Sequence, residues 1–165
     1  MRIGFDFHGI LDTYEVFREL TRTLISKGHE VHIITGEENT KSFKKTLKDL
    51  NVRYTKIFSI TSYHKKKGTE VKYDKNGEPW MDKKLWNPTK ANYCKRNDIY
   101  LHIDDSLEYG DHFKTPFIHI QHLTDNNSFL WKLYVGNISY SYCFGNDGES
   151  FLNMVLEIIT KKEVK

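Results

Sequence analysis

The chain has no long hydrophobic run. No apolar stretch approaches the roughly 20 residues of a membrane-spanning helix, so a spanning segment is not expected. Cysteine is scarce, with only Cys94 and Cys143 in 165 residues. The N-terminal "MRIGF" is too short for a signal peptide and leads straight into the fold. Two cysteines without a secretory signal read as free thiols in a reducing cytosol, so a cytoplasmic location is expected. Charge of one sign is not in large excess: 25 Lys and Arg face 22 Asp and Glu, a formal charge of +3. That balance suits an anionic substrate without demanding nucleic acid. The eight histidines form no H-x-x-x-H pattern, and no C-x-x-C exists, so a zinc site at His102, His119 or His122 is not expected. Internal repeats and low-complexity tracts are also missing.

What remains is an ordinary globular composition, 38% hydrophobic and 28% charged. At this length a single domain over residues 1–165 with a real core is expected. "MRIGF" reads as a buried strand. In "DTYEVFRELTRTLISKGHE", Val16, Phe17, Leu20, Leu24 and Ile25 recur at helical spacing. Asp12 and Glu15 form a D-x-x-E start signal, and Gly28 marks the end. "EVHIITG" is a second strand, 39–50 a surface helix with Phe43, Leu47 and Leu50 inward, and "VRYTKIFSI" a third strand. Strand, helix, strand, helix, strand at this spacing predicts right-handed crossovers and a parallel sheet.

The rhythm breaks at 61–88. Asn76-Gly77 between "EVKYDK" and "EPWMD" predicts a two-residue hairpin turn, hence a small inserted hairpin. "TKANYCKRND" returns to helix, "IYLHID" is a fourth strand and 116–121 a fifth. Residues 124–146 give no firm pattern, with "ISYSYCF" either strand or ordered loop. "GESFLNMVLEIITKK" closes as a helix with Phe151, Leu152, Val155, Ile158 and Ile159 on one face.

Ligands of such sheets bind beyond the carboxyl ends of the strands. Asp6, Thr35 and the pair Asp104-Asp105 fall at such ends, and Lys90 falls after Pro88 at the expected start of the helix feeding strand four. Clustered carboxylates suit a hard cation such as Mg²⁺, which neutralises phosphate charge. An aspartate can then attack phosphorus, while a threonine hydroxyl and a lysine hold the phosphoryl oxygens. Taken singly, Asp12 reads as a helix cap, "YHKKKG" as a solvated loop that can also lean over the site, and Trp80 and Trp86 as rings that pack the insert down or stack on a base or sugar.

"DFHGILD", "IITG", the lysine of "NPTKANYC" and "LHIDDS", in this order, resemble the four motifs of the haloacid dehalogenase-like superfamily of phosphohydrolases. The resemblance covers residues 1 to about 121. It implies a three-layer α/β/α Rossmann-like core with the 61–88 insert as a minimal cap. It implies that Asp6 is the nucleophile and a Mg²⁺ ligand, that Thr35, with Gly36 beside it, and Lys90 contact the phosphoryl group, and that Asp104 and Asp105 serve the metal. The first motif of that family usually reads D-x-D-G-x-x-x-D. Asp6, Gly9 and Asp12 match it, while His8 replaces the second aspartate, the general acid and base. His8 keeps the main-chain carbonyl that serves the metal and loses the carboxylate. Imidazole, with an unperturbed pKa of about 6.5, is a workable substitute for proton transfer.

The expected activity is therefore a Mg²⁺-dependent phosphatase acting on a small phosphorylated substrate, a nucleotide or sugar phosphate, through an aspartyl-phosphate. A nucleic-acid end is a less favoured substrate. The alternative is a protein on the same fold that binds a phosphorylated ligand or partner without turnover. Phosphoryl transfer and carbon–halogen cleavage are further reactions of the superfamily. A receiver domain would need an acidic pair after strand one, which is missing.

Overall fold

Ile3, Phe5, Val31, Ile33, Leu101 and Ile103 have no solvent exposure. They alternate along three apolar runs, β1 (Arg2–Phe5), β2 (Glu30–Thr35) and β6 (Leu101–Asp104), and strands that bury both faces pair in parallel. The computed structural model describes residues 1–123, 128–135, 138–139, 143–145 and 148–163. It is an α/β fold with a mostly parallel sheet. β3 (Lys56–Ser59), β2, β1, β6 and β7 (Phe117–His122) lie side by side in that order, all parallel. β8 (Phe129–Val135) adds antiparallel to β7, and β9 (Ile138–Ser139) and β10 (Cys143–Gly145) pair antiparallel with β8.

Helices α1 (Glu15–Ser26), α2 (Lys41–Asp49) and α5 (Gly148–Glu163) bury Phe17, Leu20, Phe43, Leu47, Phe151 and Val155 in one cluster with Ile3, Phe5, Val31 and Ile33. Burying each such side chain contributes roughly 1.5–3 kcal/mol. Ile34 and Phe117, one residue out of phase on their strands, join a second cluster with Ala91, Tyr93 and Cys94 of α4 (Lys83–Arg96). Burial pushes the Cys94 thiol pKa up, so it stays protonated. No helix among the described residues is long and apolar enough to cross a membrane.

Five local expectations are corrected. Strand three is shorter than 52–60, because the Val52 amide closes the end of α2 on the Leu47 carbonyl at 2.9 Å. The insert also holds a helix, α3 (Ile60–Lys66), before the antiparallel pair β4 (Lys72–Tyr73) and β5 (Pro79–Trp80). The hairpin turn has three residues, 75–77, not two: the Asp74 amide bonds the Glu78 carbonyl at 3.0 Å, and Gly77 takes φ +83°. α4 starts well before Pro88, because the Asp82 carboxylate accepts the Lys84 amide at 2.9 Å and opens the helix there. Lys90 thus stands inside a helix that contains Pro88, not at its start. Finally, Asp12 and Glu15 make no capping box. Tyr14 precedes α1 without a side-chain cap, Glu15 pairs with Arg18 and Arg22, and Asp12 accepts from Thr13.

Of the stretch 124–146, β8, β9 and β10 are described. Residues 124–127, 136–137, 140–142 and 146 lie outside the described residues, so the reading of "ISYSYCF" is met only at its two ends.

Candidate active site

β1 and β6 stop together. The Asp6 amide bonds the Ile103 carbonyl at 2.9 Å, which sets Asp6 beside Asp104 at the carboxyl edge of the sheet. Lys90 reaches between them from α4. Its Nζ is 2.8 Å from Asp6 Oδ2 and 2.7 Å from Asp104 Oδ2. All three residues are buried, Lys90 at 2% exposure. A lysine so enclosed is tolerated only when its charge is matched. Burial opposes its ammonium form, but Asp104 and Asp6 outweigh that and raise its pKa.

The two carboxylates divide unequally. Burial, with Asp104 adding to it, lifts Asp6 to about 7 against the pull of Lys90. Burial also works to raise Asp104, but Lys90 and His102 outweigh it and hold that carboxyl at about 2. Like charges this close cannot both ionise freely. Asp104 is therefore the fixed anion and Asp6 the one that titrates near neutrality. Their other oxygens accept main-chain donors, Asp6 Oδ1 from Phe7 at 2.8 Å and Asp104 Oδ1 from Ser106 at 2.9 Å.

Asp105 completes the cluster. One carboxylate oxygen each of Asp6, Asp104 and Asp105 lies within 4.8 Å of the others. Adjacent strand residues face opposite ways, but β6 ends at Asp104, so Asp105 is free to turn in. Three histidines brace the pair. His102 Nε2 donates to Asp104 Oδ2 at 3.0 Å, and burial lowers its pKa, so the ring is neutral. His119 Nε2 donates to the Asp105 carbonyl at 2.9 Å. His122 Nε2 lies 3.1 Å from Asp105 Oδ2, and the Tyr14 hydroxyl lies 2.7 Å from its Nδ1. A carboxylate oxygen only accepts, so Nε2 is the donor to Asp105. Gly9 is required here: it takes φ +68°, and a Cβ on it would run into the Asp105 carboxylate. Asp6, Asp104 and Asp105 thus offer three hard oxygen donors that could hold a metal ion.

Thr35 and Gly36 stand at the end of β2, next to β1. The buried Thr35 hydroxyl oxygen accepts the Glu37 amide at 3.1 Å, which leaves its hydrogen to donate elsewhere. The Gly36 carbonyl accepts from Thr61 at 2.6 Å, and Trp86 packs so tightly on Gly36 that a Cβ would come within 3.0 Å of the ring.

The His8 ring is held by two carboxylates of its own, Asp12 and Glu37. Its Nδ1 is 3.1 Å from Asp12 Oδ2 and its Nε2 2.7 Å from Glu37 Oε1, and the side chain is half exposed. The hydrogen bond to Asp12 raises its pKa, burial opposes, Glu37 adds, and the result is about 9. At neutral pH His8 is an imidazolium held by two carboxylates. A carboxylate oxygen of Glu78, just after the hairpin turn, comes within 4.8 Å of ligand atoms of His8 and Glu37, so the insert reaches His8. Glu38 pins it there, accepting from Lys65 at 2.8 Å and from Tyr73 at 3.1 Å.

The structure thus brings Asp6, Lys90, Asp104 and Asp105 together, sets Thr35 and Gly36 on the neighbouring strand end, and gives the His8 side chain its own pair of carboxylates. Sequence reading assigned no role to Tyr14, Tyr109 or Glu37, and weighed His102, His119 and His122 only as zinc ligands. His102 had one usable signal, its spacing of two from Asp104 on one face of a strand. A scan against models of known protein families finds no match, and a search of the curated proteins finds none either.

Proposed function

We propose that the chain is a haloacid dehalogenase-like phosphohydrolase with a three-layer Rossmann-like core, hydrolysing a small phosphomonoester with Mg²⁺. The observation that carries this reading is the buried Asp6–Lys90–Asp104 bridge with Asp105 beside it at the carboxyl edge of a parallel sheet. A carboxyl raised toward neutrality beside a specific charge partner at this edge of the sheet supports a functional role for Asp6.

The residues divide the work. Asp6, once ionised, attacks phosphorus, and the bond to the leaving oxygen breaks as the aspartyl-phosphate forms. Lys90 and the free hydrogen of Thr35 hold the phosphoryl oxygens. Asp6, Asp104, Asp105 and the His8 carbonyl would hold a divalent cation, which would supply charge neutralisation to the phosphate. His8, an imidazolium at neutral pH, gives its proton to the leaving oxygen. Now neutral, it takes a proton from the water that attacks the aspartyl-phosphate, which releases phosphate and restores Asp6.

The test is phosphate release from an aryl phosphate with Mg²⁺ between pH 5 and 9, wild type against Asp6→Asn. Activity that Asp6→Asn reduces at least a thousandfold is expected; no activity in the wild type over a broad substrate panel contradicts it. One observation favours ligand binding without turnover: both ring nitrogens of His8 are engaged by Asp12 and Glu37. That reading predicts an inactive wild type and activity created by His8→Asp.

A further inference from the structure

A cleft of about 530 Å³ opens between β5, the first turns of α4 and the 3₁₀ turn Leu107–His112. Its volume lies in the range of small-molecule sites, roughly 300–1,000 Å³. The walls are aromatic and apolar, with Trp80, Trp86, Tyr109 and Met81 among its lining residues. Trp80 is 52% exposed, an unusual state for the largest apolar side chain, and Lys72 Nζ steadies its ring from 5.3 Å.

The cleft shares a wall with the carboxylate site. Tyr109 lies with its ring centroid 4.7 Å from Lys90 Nζ, and its hydroxyl accepts from Trp86 Nε1 at 2.9 Å. Trp86 in turn packs against Gly36 at the end of β2. Two rings thus join the phosphoryl-binding groups to the cleft, so a molecule whose phosphate meets Lys90 has its remaining part directed along Tyr109 and Trp86 toward Trp80.

Resting on the phosphatase reading, we propose that this cleft holds a nucleobase, so that the substrate is a nucleoside monophosphate rather than a sugar phosphate. Every base offers a flat π-face that stacks on aromatic rings whatever its identity. The rim sharpens the choice. Asp82, Lys83 and Glu108 line the cleft, with Lys83 Nζ 3.4 Å from Glu108 Oε2, and the Asn87 amide offers donors and an acceptor to a base edge. A neutral base fits this lining, with its flat face on the rings and its edge at Asn87.

Trp80 is the residue to change, because it is exposed and outside the carboxylate site, whereas Trp86 is part of the packing. Trp80→Ala is expected to raise KM for nucleoside monophosphates roughly 5- to 100-fold, with kcat and the KM for glycerol phosphate unchanged. Trp80→Tyr should restore most of the loss. An unaltered nucleotide KM in Trp80→Ala, or a ribose 5-phosphate KM as low as that of the nucleotide, overturns the nucleobase assignment and leaves the phosphatase reading standing. If no phosphomonoester is turned over, the phosphatase reading fails on its own. Calorimetric titration with adenosine monophosphate then decides the cleft: binding weakened by the same factor in Trp80→Ala upholds it, and no binding, or equal binding to both proteins, overturns it.

Discussion

Asp6 and His8 are separated by one phenylalanine and live under opposite electrostatics. Asp6 is enclosed, and burial, with Asp104 adding to it, pushes its carboxyl toward the neutral form despite an ammonium at 2.8 Å. His8 is half exposed, and two carboxylates outweigh its partial burial and favour its charged form. Both groups are moved up in pKa, one by its surroundings and the other by its partners. The lesson is that proximity in sequence says little about protonation; what matters is how far each side chain is removed from water and which charges went with it.

Breaking the buried half should cost most. Lys90→Met leaves Asp6 and Asp104 enclosed without their cation, and removing one partner of a buried pair typically costs about 3–5 kcal/mol. Urea unfolding at pH 7 measures it. A loss under 1 kcal/mol would mean that the bridge is not as enclosed as its geometry indicates.

Asp6→Asn should act in the other direction on stability. The Asp6 carboxyl moves from 3.8 to about 7 on folding, so the folded state holds the proton more tightly. Its contribution is therefore present below pH 4 and is lost as pH rises to about 7. Asparagine removes that loss. The metal-free variant should be more stable than wild type by about 1–3 kcal/mol at pH 8, with the gap closing toward pH 4. A gap that does not depend on pH would show that Asp6 does not titrate between these limits.

The surface half gives the smallest effect. Glu37→Gln should lower the His8 pKa from about 9 toward its ordinary 6.5, by roughly one unit. The stability that His8 confers is full below pH 6.5 and fades as pH rises through 9, so the variant should lose it earlier. Imidazole proton shifts followed by NMR across pH 5–10 check both points. An unmoved pKa would mean that Asp12 alone holds the ring.

These contrasts bear on what was legible in the sequence. The parallel core was, because β1, β2 and β6 each carry an apolar face (Ile3 and Phe5, Val31 and Ile33, Leu101 and Ile103) and α1 and α2 keep the 3.6-residue period. Asp6, Asp104 and Asp105 were legible as a group through their positions at strand ends, and Lys90 was picked out through Pro88, although it stands inside α4 and not at its start. The start of α4 was not, because an Asp82 cap outweighed the Pro88 signal. The partners of His8 were not legible either. Nothing in "DFHG" names Glu37, which arrives from another strand end 29 residues later. The roles of His119, His122 and Tyr14 around Asp105 likewise depend on three separate elements meeting, and a single histidine or tyrosine carries no mark of its future partner.

The central claim, that Asp6 is a nucleophile and not only half of an ion pair, is tested most directly by trapping the covalent state. A single turnover with Mg²⁺ and a radiolabelled phosphomonoester, quenched in acid and digested, should leave the label on the peptide that carries Asp6, and hydroxylamine should release it. Phosphate released with no label on that peptide, or with the label elsewhere, would contradict the account.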